Sequence, residues 1–200
     1  MNKKKLSIEL SKIKPLTSFN VDLEQYPTDC NLVSDILWNA FQNSDILDKV
    51  VADFGCGNGV FGIGALLLGA KSVYFLDKDK KALDVCKENL ENLNFNNFKL
   101  INSDVIDFNK KVDTVLMNPP FGVQNRKADK VFLETAMKYS KVIYSIHKIE
   151  SKNFIEQLAK EHGFNIDRII EEEFKIGKIY SFHTKNKYAF KVGIWVLRAK

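Results

Sequence analysis

The sequence predicts an open α/β sandwich on a mostly parallel sheet, and three observations predict it. From residue 49 onward, short apolar runs alternate with stretches of helical length, the pattern of βαβ units. Four of the runs stop on a chemically marked residue: Asp53, Asp77, Asp104 and Asn118. The last two β-rich stretches, 164–176 and 187–198, are joined by a basic loop with no helix, so they read as an antiparallel pair on that sheet.

Taken in order, residues 3–13 and 29–42 read as helices. The second has Asp29 as its cap and an apolar face of Leu32, Val33, Ile36, Leu37 and Ala40. The first strand, 49–54, breaks into Gly55-Cys56-Gly57-Asn58-Gly59, and a helix follows to about Leu68, with Gly69 placed to end it. Strand 72–76 closes on Asp77, helix 80–93 follows, and strand 98–102 leads into Ser103-Asp104. The run 112–117 is mostly apolar, as a strand buried on both faces should be, and Pro119-Pro120 stops it. A helix near 128–138, the apolar run 142–146 and a helix at 151–162 complete the core. His162 falls at a helix end and reads as a cap feature.

Two hundred residues with 45% hydrophobic content suit one domain with a full core. A net charge of +5 is compatible with a polyanionic partner without establishing one. Cys30, Cys56 and Cys86 are scattered, with no CxxC. They read as reduced thiols, which argues against a disulfide framework or a zinc site. The basic start, residues 1–6, has no apolar run behind it, and no stretch approaches the roughly 20 apolar residues of a membrane span. The expected setting is the cytoplasm.

Ligands of open α/β sheets bind beyond the carboxyl ends of the strands. Gly57-Asn58-Gly59-Val60-Phe61-Gly62 spells GxGxxG, and Asp77 at the next strand end is placed to accept hydrogen bonds from ribose hydroxyls. The plainer alternative is a tight strand-to-helix turn without a ligand. Asp53, just before the glycines, would repel a pyrophosphate and suits the cationic end of S-adenosylmethionine. Ser103-Asp104 can hydrogen-bond an adenine amine. Cys56 supplies the small side chain that the loop needs, without a redox role.

Asn118 offers a side-chain carbonyl, and Pro119 a backbone carbonyl with no competing N–H. Pro120 biases Pro119 towards an extended conformation. Two fixed acceptors can grip both hydrogens of an aromatic amine, and Phe121 can stack on the ring that carries it. Catalysis would then be positioning plus electrostatics, with no metal and no strong base required. The plainer alternative is a proline-rich turn.

These residues resemble class I methyltransferases of the amino-methylating kind: Asp53–Gly59 (DFGCGNG) resembles their cofactor loop, and Asn118-Pro119-Pro120-Phe121 their catalytic tetrapeptide. Together with residues 23–28 (LEQYPT), 49–53 (KVVAD), 117–122 (MNPPFG) and 144–148 (YSIHK), the chain from about residue 20 resembles the methyltransferase-like protein five family. That family installs N6-methyladenosine on small-subunit ribosomal RNA. The resemblance implies a Rossmann-like class I methyltransferase: a central, mostly parallel seven-stranded sheet with an antiparallel C-terminal strand and helices on both faces. It implies a single domain, 1–200, in which helical residues 1–45 pack over the site and 46–200 form the Rossmann-like core.

It further implies S-adenosylmethionine contacts at Gln25, Tyr26, Thr28, Gly55, Asn58, Val60, Asp77, Asp104 and Val105, beside Asp53, Cys56 and Gly57, and catalysis by Asn118, Pro119, Pro120 and Phe121. Asn58 stands where eukaryotic members carry cysteine, which leaves backbone contacts there unaffected. For RNA, Arg126, Lys127 and Lys130 with His183, Lys185 and Lys187 read either as phosphate contacts or as solvated faces. His147 reads either as an RNA or methionine contact or as a satisfied structural histidine. The eukaryotic member works with a small zinc-binding activator that adds a strand to its sheet. Residues 98–102, flanked by Phe95, would offer such an edge, unless Phe95 and Phe98 simply pack under their own helix. Two other functions stay open: transfer to guanine N2 or to a protein glutamine amide, and an RNA-binding subunit with a vestigial pocket.

Overall fold

A computed structural model describes residues 1–17, 25, 28–120, 128–177 and 187–200, with 173–177 and 187–190 described by backbone alone. The strands are β1 (Val50–Phe54), β2 (Ser72–Asp77), β3 (Phe98–Asn102), β4 (Thr114–Met117), β5 (Val142–Lys148), β6 (Phe164–Gly177) and β7 (Lys187–Ala199). The helices are α1 (Lys3–Ser11), α2 (Cys30–Gln42), α3 (Val60–Leu67), α4 (Lys80–Asn92), α5 (Ala128–Tyr139) and α6 (Lys152–Glu161). All seven strands form one sheet in the order β3-β2-β1-β4-β5-β7-β6. β1 to β5 are parallel, and β7 runs antiparallel to both β5 and β6.

The helix ends follow local chemistry. Asp29 caps α2 by accepting from the Asn31 and Leu32 amides at 2.8 and 3.2 Å, and Asp79 does the same for α4 through Lys81 at 2.9 Å. Gly69, at φ +89°, turns the chain out of α3 as its amide donates to Leu66. His162 caps α6, with its amide and its ring Nδ1 both on the Leu158 carbonyl.

β4 begins two residues later than the apolar run suggested, because the Val112 amide donates to Tyr139 at the end of α5. β5 runs on to Lys148 because β7 pairs with it along its whole length. The core lies in two layers. One, under α1 to α4, holds Leu10, Leu37, Ile63, Phe75 and Leu90; the other, under α5 and α6, holds Phe54, Met117, Leu133, Ile155 and Trp195. Among the described residues no helix is long and apolar enough to cross a membrane. All three cysteines are free thiols.

Candidate active site

The strand order reverses between β1 and β4, which pair in register from Val51↔Thr114 to Phe54↔Met117. The glycine loop and Asn118 therefore leave the sheet side by side, at the crevice where such sheets bind ligands. Across the strand order β3-β2-β1-β4, the carboxyl ends present Asp104, Asp77, the glycine loop and Asn118. Three inter-strand steps span about 14 Å. That row suits an elongated nucleoside with a tail better than a lone base.

A cavity of about 410 Å³ opens along this row, within the range of small-molecule sites. Gln25, Thr28, Gly55, Cys56, Gly57, Asn58 and Val60 line it, as do Asp77, Asp104, Val105, Asn118 and Pro120. Pro119, between the last two, is buried and does not line it. Tyr26 and Phe121 lie outside the described residues.

Asp53 departs from expectation. It is 2% exposed and lies behind the loop rather than in the cavity lining, with its Oδ2 accepting from the Gly62 amide at 2.8 Å. Burial raises its carboxyl to about 7, against the lowering effect of that amide and with help from the charge of Asp77. Its influence on a cationic ligand is a field through the loop, not a contact. Asp77 stays at the cavity wall. Its Oδ2 accepts from the Gly57 amide and its Oδ1 from the Asp79 amide, both at 2.9 Å, and burial raises its carboxyl as well. Each carboxylate oxygen retains a second lone pair for a hydroxyl.

These bonds weigh against a pyrophosphate. The Gly55 and Cys56 amides donate to Leu76, Gly57 to Asp77, Gly59 to Cys56 and Gly62 to Asp53. A pyrophosphate needs such amides turned towards it; here they are spent inside the protein, two of them on carboxylates. A cationic sulfonium with an adenosine end fits the same wall. Gly55, Gly57 and Gly59, at φ +66°, +55° and +88°, take left-handed conformations that glycine adopts without strain.

At the other end, the Asn118 Nδ2 donates to the Thr28 hydroxyl at 3.0 Å, which fixes the orientation of the amide. Gln25 donates to Asp79 at 2.9 Å, tying the segment before α2 to the start of α4. Asp104 caps the 3-10 turn Val105–Asp107 through the Ile106 amide at 3.3 Å.

The RNA-contact expectation for His147 is corrected. The residue is 1% exposed, its ring shares a 2.7 Å hydrogen bond with the Ser145 hydroxyl, and burial lowers it to about 3. It is the satisfied structural histidine. Lys130 lies in the first turn of α5, 3.6 Å from Glu134, and does not line the cavity. Arg126, Lys127, His183 and Lys185 lie outside the described residues, as does the side chain of Lys187.

The sequence reading missed two contributors. Ile13, Pro15 and Leu16, between α1 and α2, form part of the cavity wall, with Leu16 3.9 Å from where a Cβ on Gly57 would stand. Asn89 holds that segment from below, and its signal was present: a polar side chain on the apolar stripe of α4, among Leu83, Cys86 and Leu90.

The methyltransferase small domain family model matches residues 29–143. The crystal structure of a candidate RNA methyltransferase from Pyrococcus horikoshii is 44% identical, with a TM-score of 0.93 over 100% of this chain and 98% of that one. An uncharacterised protein of Methanocaldococcus jannaschii is 34% identical over 98% of this chain and 93% of its own length. The rRNA N(6)-adenosine-methyltransferase METTL5 of Danio rerio is 34% identical over 96% of both chains. The chain thus belongs to the methyltransferase small domain family, and within it to the group typified by METTL5.

Proposed function

We propose that the protein is an S-adenosylmethionine-dependent methyltransferase of the N6 amine of adenine in RNA, with small-subunit ribosomal RNA as its substrate. The observation that carries this reading is the place of Asn118-Pro119-Pro120: directly beyond β4, beside the glycine loop, with the Asn118 amide oriented by Thr28. The names of relatives from zebrafish and fly, matched over 96% and 86% of this chain and both rRNA N(6)-adenosine-methyltransferases, support the acceptor.

When bound, S-adenosylmethionine supplies an electrophilic methyl group. In this reading Asp77 accepts from its ribose, while Ser103 and Asp104 recognise its adenine. Val60 and Val105 give apolar contact, Thr28, bonded to Asn118, flanks the reacting end, and Gln25, bonded to Asp79, lies towards the ribose. The target adenine is unstacked from its RNA and turned into the cavity. Asn118 Oδ1 and the Pro119 carbonyl accept the two amine hydrogens, which draws the nitrogen out of conjugation and frees its lone pair. Phe121 stacks on the base. The same two oxygens would offset the positive charge that the amine gains as its bond to the methyl carbon forms and the carbon–sulfur bond breaks, until one amine proton is lost to water.

Asn118→Ala tests this. Transfer to RNA should fall at least about 10²-fold, with S-adenosylmethionine affinity changed less than about threefold as read by calorimetry. Ordinary turnover in that variant would overturn the mechanism. Labelled-cofactor assays followed by nucleoside and peptide mass spectrometry identify the acceptor, and a methylated guanine or glutamine would displace adenine.

Two finer points belong to the same proposal. The three free thiols favour the reducing cytoplasm. β3 is an edge strand, and its Phe98 packs edge-on against Phe75 at 6.2 Å between ring centroids. Phe95, Phe98 and Leu100 thus serve their own core. A small zinc-binding activator would dock on the β3 backbone edge rather than on apolar side chains. A lone chain that is monodisperse and fully active would count against that partner.

A further inference from the structure

Asn89 is an asparagine in the interior of α4, 3% exposed, where a helix gains little from one. Its side chain reaches out of the helix and grips a residue 75 positions away. The Lys14 amide donates to its Oδ1 at 2.9 Å, and its Nδ2 donates to the Lys14 and Asn58 carbonyls, each at 3.1 Å. Asn58 adds a second bond, from its own Nδ2 to the Lys14 carbonyl at 3.2 Å. Both backbone groups of one strap residue are therefore read at once, and the glycine loop is joined to it.

Pro15 follows. It restricts Lys14 to extended conformations and stiffens the strap. Leu16 then lies over Gly57, with Pro15, Ile13 and Leu10 along the cavity wall. The outer ion pair, Lys14 with Glu88 at 2.6 Å, is about half exposed on both sides and contributes little.

We propose that Asn89 is a positioning residue: its amide latches residues 14–16 over the glycine loop and sets how long the cofactor stays bound. This rests on the reading of the cavity as the S-adenosylmethionine site. The latch is a local closure, separate from the acceptor chemistry at Asn118. Its loss opens one wall of the cavity and leaves the transfer geometry intact.

The test uses the full chain, S-adenosylmethionine and S-adenosylhomocysteine. In Asn89→Leu, which keeps the volume and removes the three hydrogen bonds, dissociation of either ligand in stopped flow should be about tenfold faster. KM for S-adenosylmethionine should rise by the same factor while kcat at saturating cofactor is kept. A merely structural role would lower the apparent kcat with the folded fraction and leave KM unchanged. Wild-type protein gives an arm that does not depend on the variant folding: saturating S-adenosylmethionine should slow hydrogen exchange at the Lys14 amide by about tenfold or more, with α3 amides less affected.

Equal dissociation rates in wild type and Asn89→Leu overturn the latch, as does a Lys14 amide indifferent to cofactor. Wild-type protein that binds no S-adenosylmethionine overturns the functional reading itself, so the two failures are distinguishable.

Discussion

Asp53 and His147 are 2% and 1% exposed, and burial moves them in opposite directions. The carboxyl rises to about 7 from 3.8, and the imidazole falls to about 3 from 6.5. Folded Asp53 keeps its proton where the unfolded chain has lost it. Its contribution is thus full below 3.8 and lost as pH rises to about 7. His147 in the folded chain refuses a proton that the unfolded chain takes. Its contribution is full above 6.5 and lost as pH falls to about 3. Over the shared window the slopes are opposite, each about 1.4 kcal/mol per pH unit, and largely cancel. Asp77, raised as well, adds to the Asp53 side.

Asp53→Asn should leave stability rising with pH through that window, and His147→Gln should leave it falling. Above pH 7 the Asp53→Asn protein should be the more stable by up to about 4 kcal/mol, while binding the cationic cofactor more weakly. Urea midpoints at about pH 4.5, 6 and 8 read all three proteins; superimposable profiles for wild type and Asp53→Asn would refute the buried-acid account. The sequence marked Asp53 as an acid beside the glycine loop. Its burial was not legible there, because adjacency to glycines gives no hint of which side of the loop a carboxylate occupies.

At the scale of an element, α3 shows how far a motif constrains its surroundings. It is a helix of 8 residues, buried on nearly every side, and its Gly62 and Gly64 stand where a Cβ would overlap the Phe75 ring and the Leu37 side chain. Close approach of helix to strand is what the last glycine of the fingerprint provides. Gly62→Ala should therefore cost about 1–3 kcal/mol in chemical denaturation, an overpacking penalty, although alanine is the better helix former. A neutral or stabilising effect would show that α3 can back away from β2.

The helices and strands were legible because periodicity, Asp29, Gly69 and the double proline all carry local signals. The strap at 13–16 was not. Its conformation comes from Asn89, far along the chain, and a lone asparagine on an apolar stripe announces a buried partner without naming it.

Over the whole molecule, the question is whether residues 1–45 and 46–200 unfold together. Leu6, Leu10, Val33 and Leu37 share one cluster with Val51, Phe75 and Leu90, so the N-terminal helices help to make the sheet's own core. A polar clasp reinforces this at the end of the sheet away from the cavity. Asp45, 6% exposed, accepts from Arg198 at 3.0 and 2.7 Å and from the Tyr144 hydroxyl at 2.7 Å, while its carbonyl accepts from Thr114 at 2.6 Å. The turn after α2 is thereby tied to β4, β5 and β7. Asp45 and Arg198 lie 153 positions apart, and no local pattern in the sequence links them.

Arg198→Ala leaves the Asp45 carboxylate with the Tyr144 hydroxyl but without its cation and should cost about 3 kcal/mol, at the low end for a buried pair because Arg198 is partly exposed. The chain should nonetheless still melt as one unit. Its two tryptophans report separately: Trp38 lies on α2 and Trp195 on β7. Fluorescence melts of Trp38→Phe and Trp195→Phe, each with and without Arg198→Ala, should give coincident loss of far-ultraviolet dichroism and fluorescence, with the Arg198→Ala pair shifted down together. A Trp38 signal lost before the Trp195 signal would instead make the N-terminal helices a separate unit resting on the sheet. The cavity, whose wall they help to form, would then open without global unfolding.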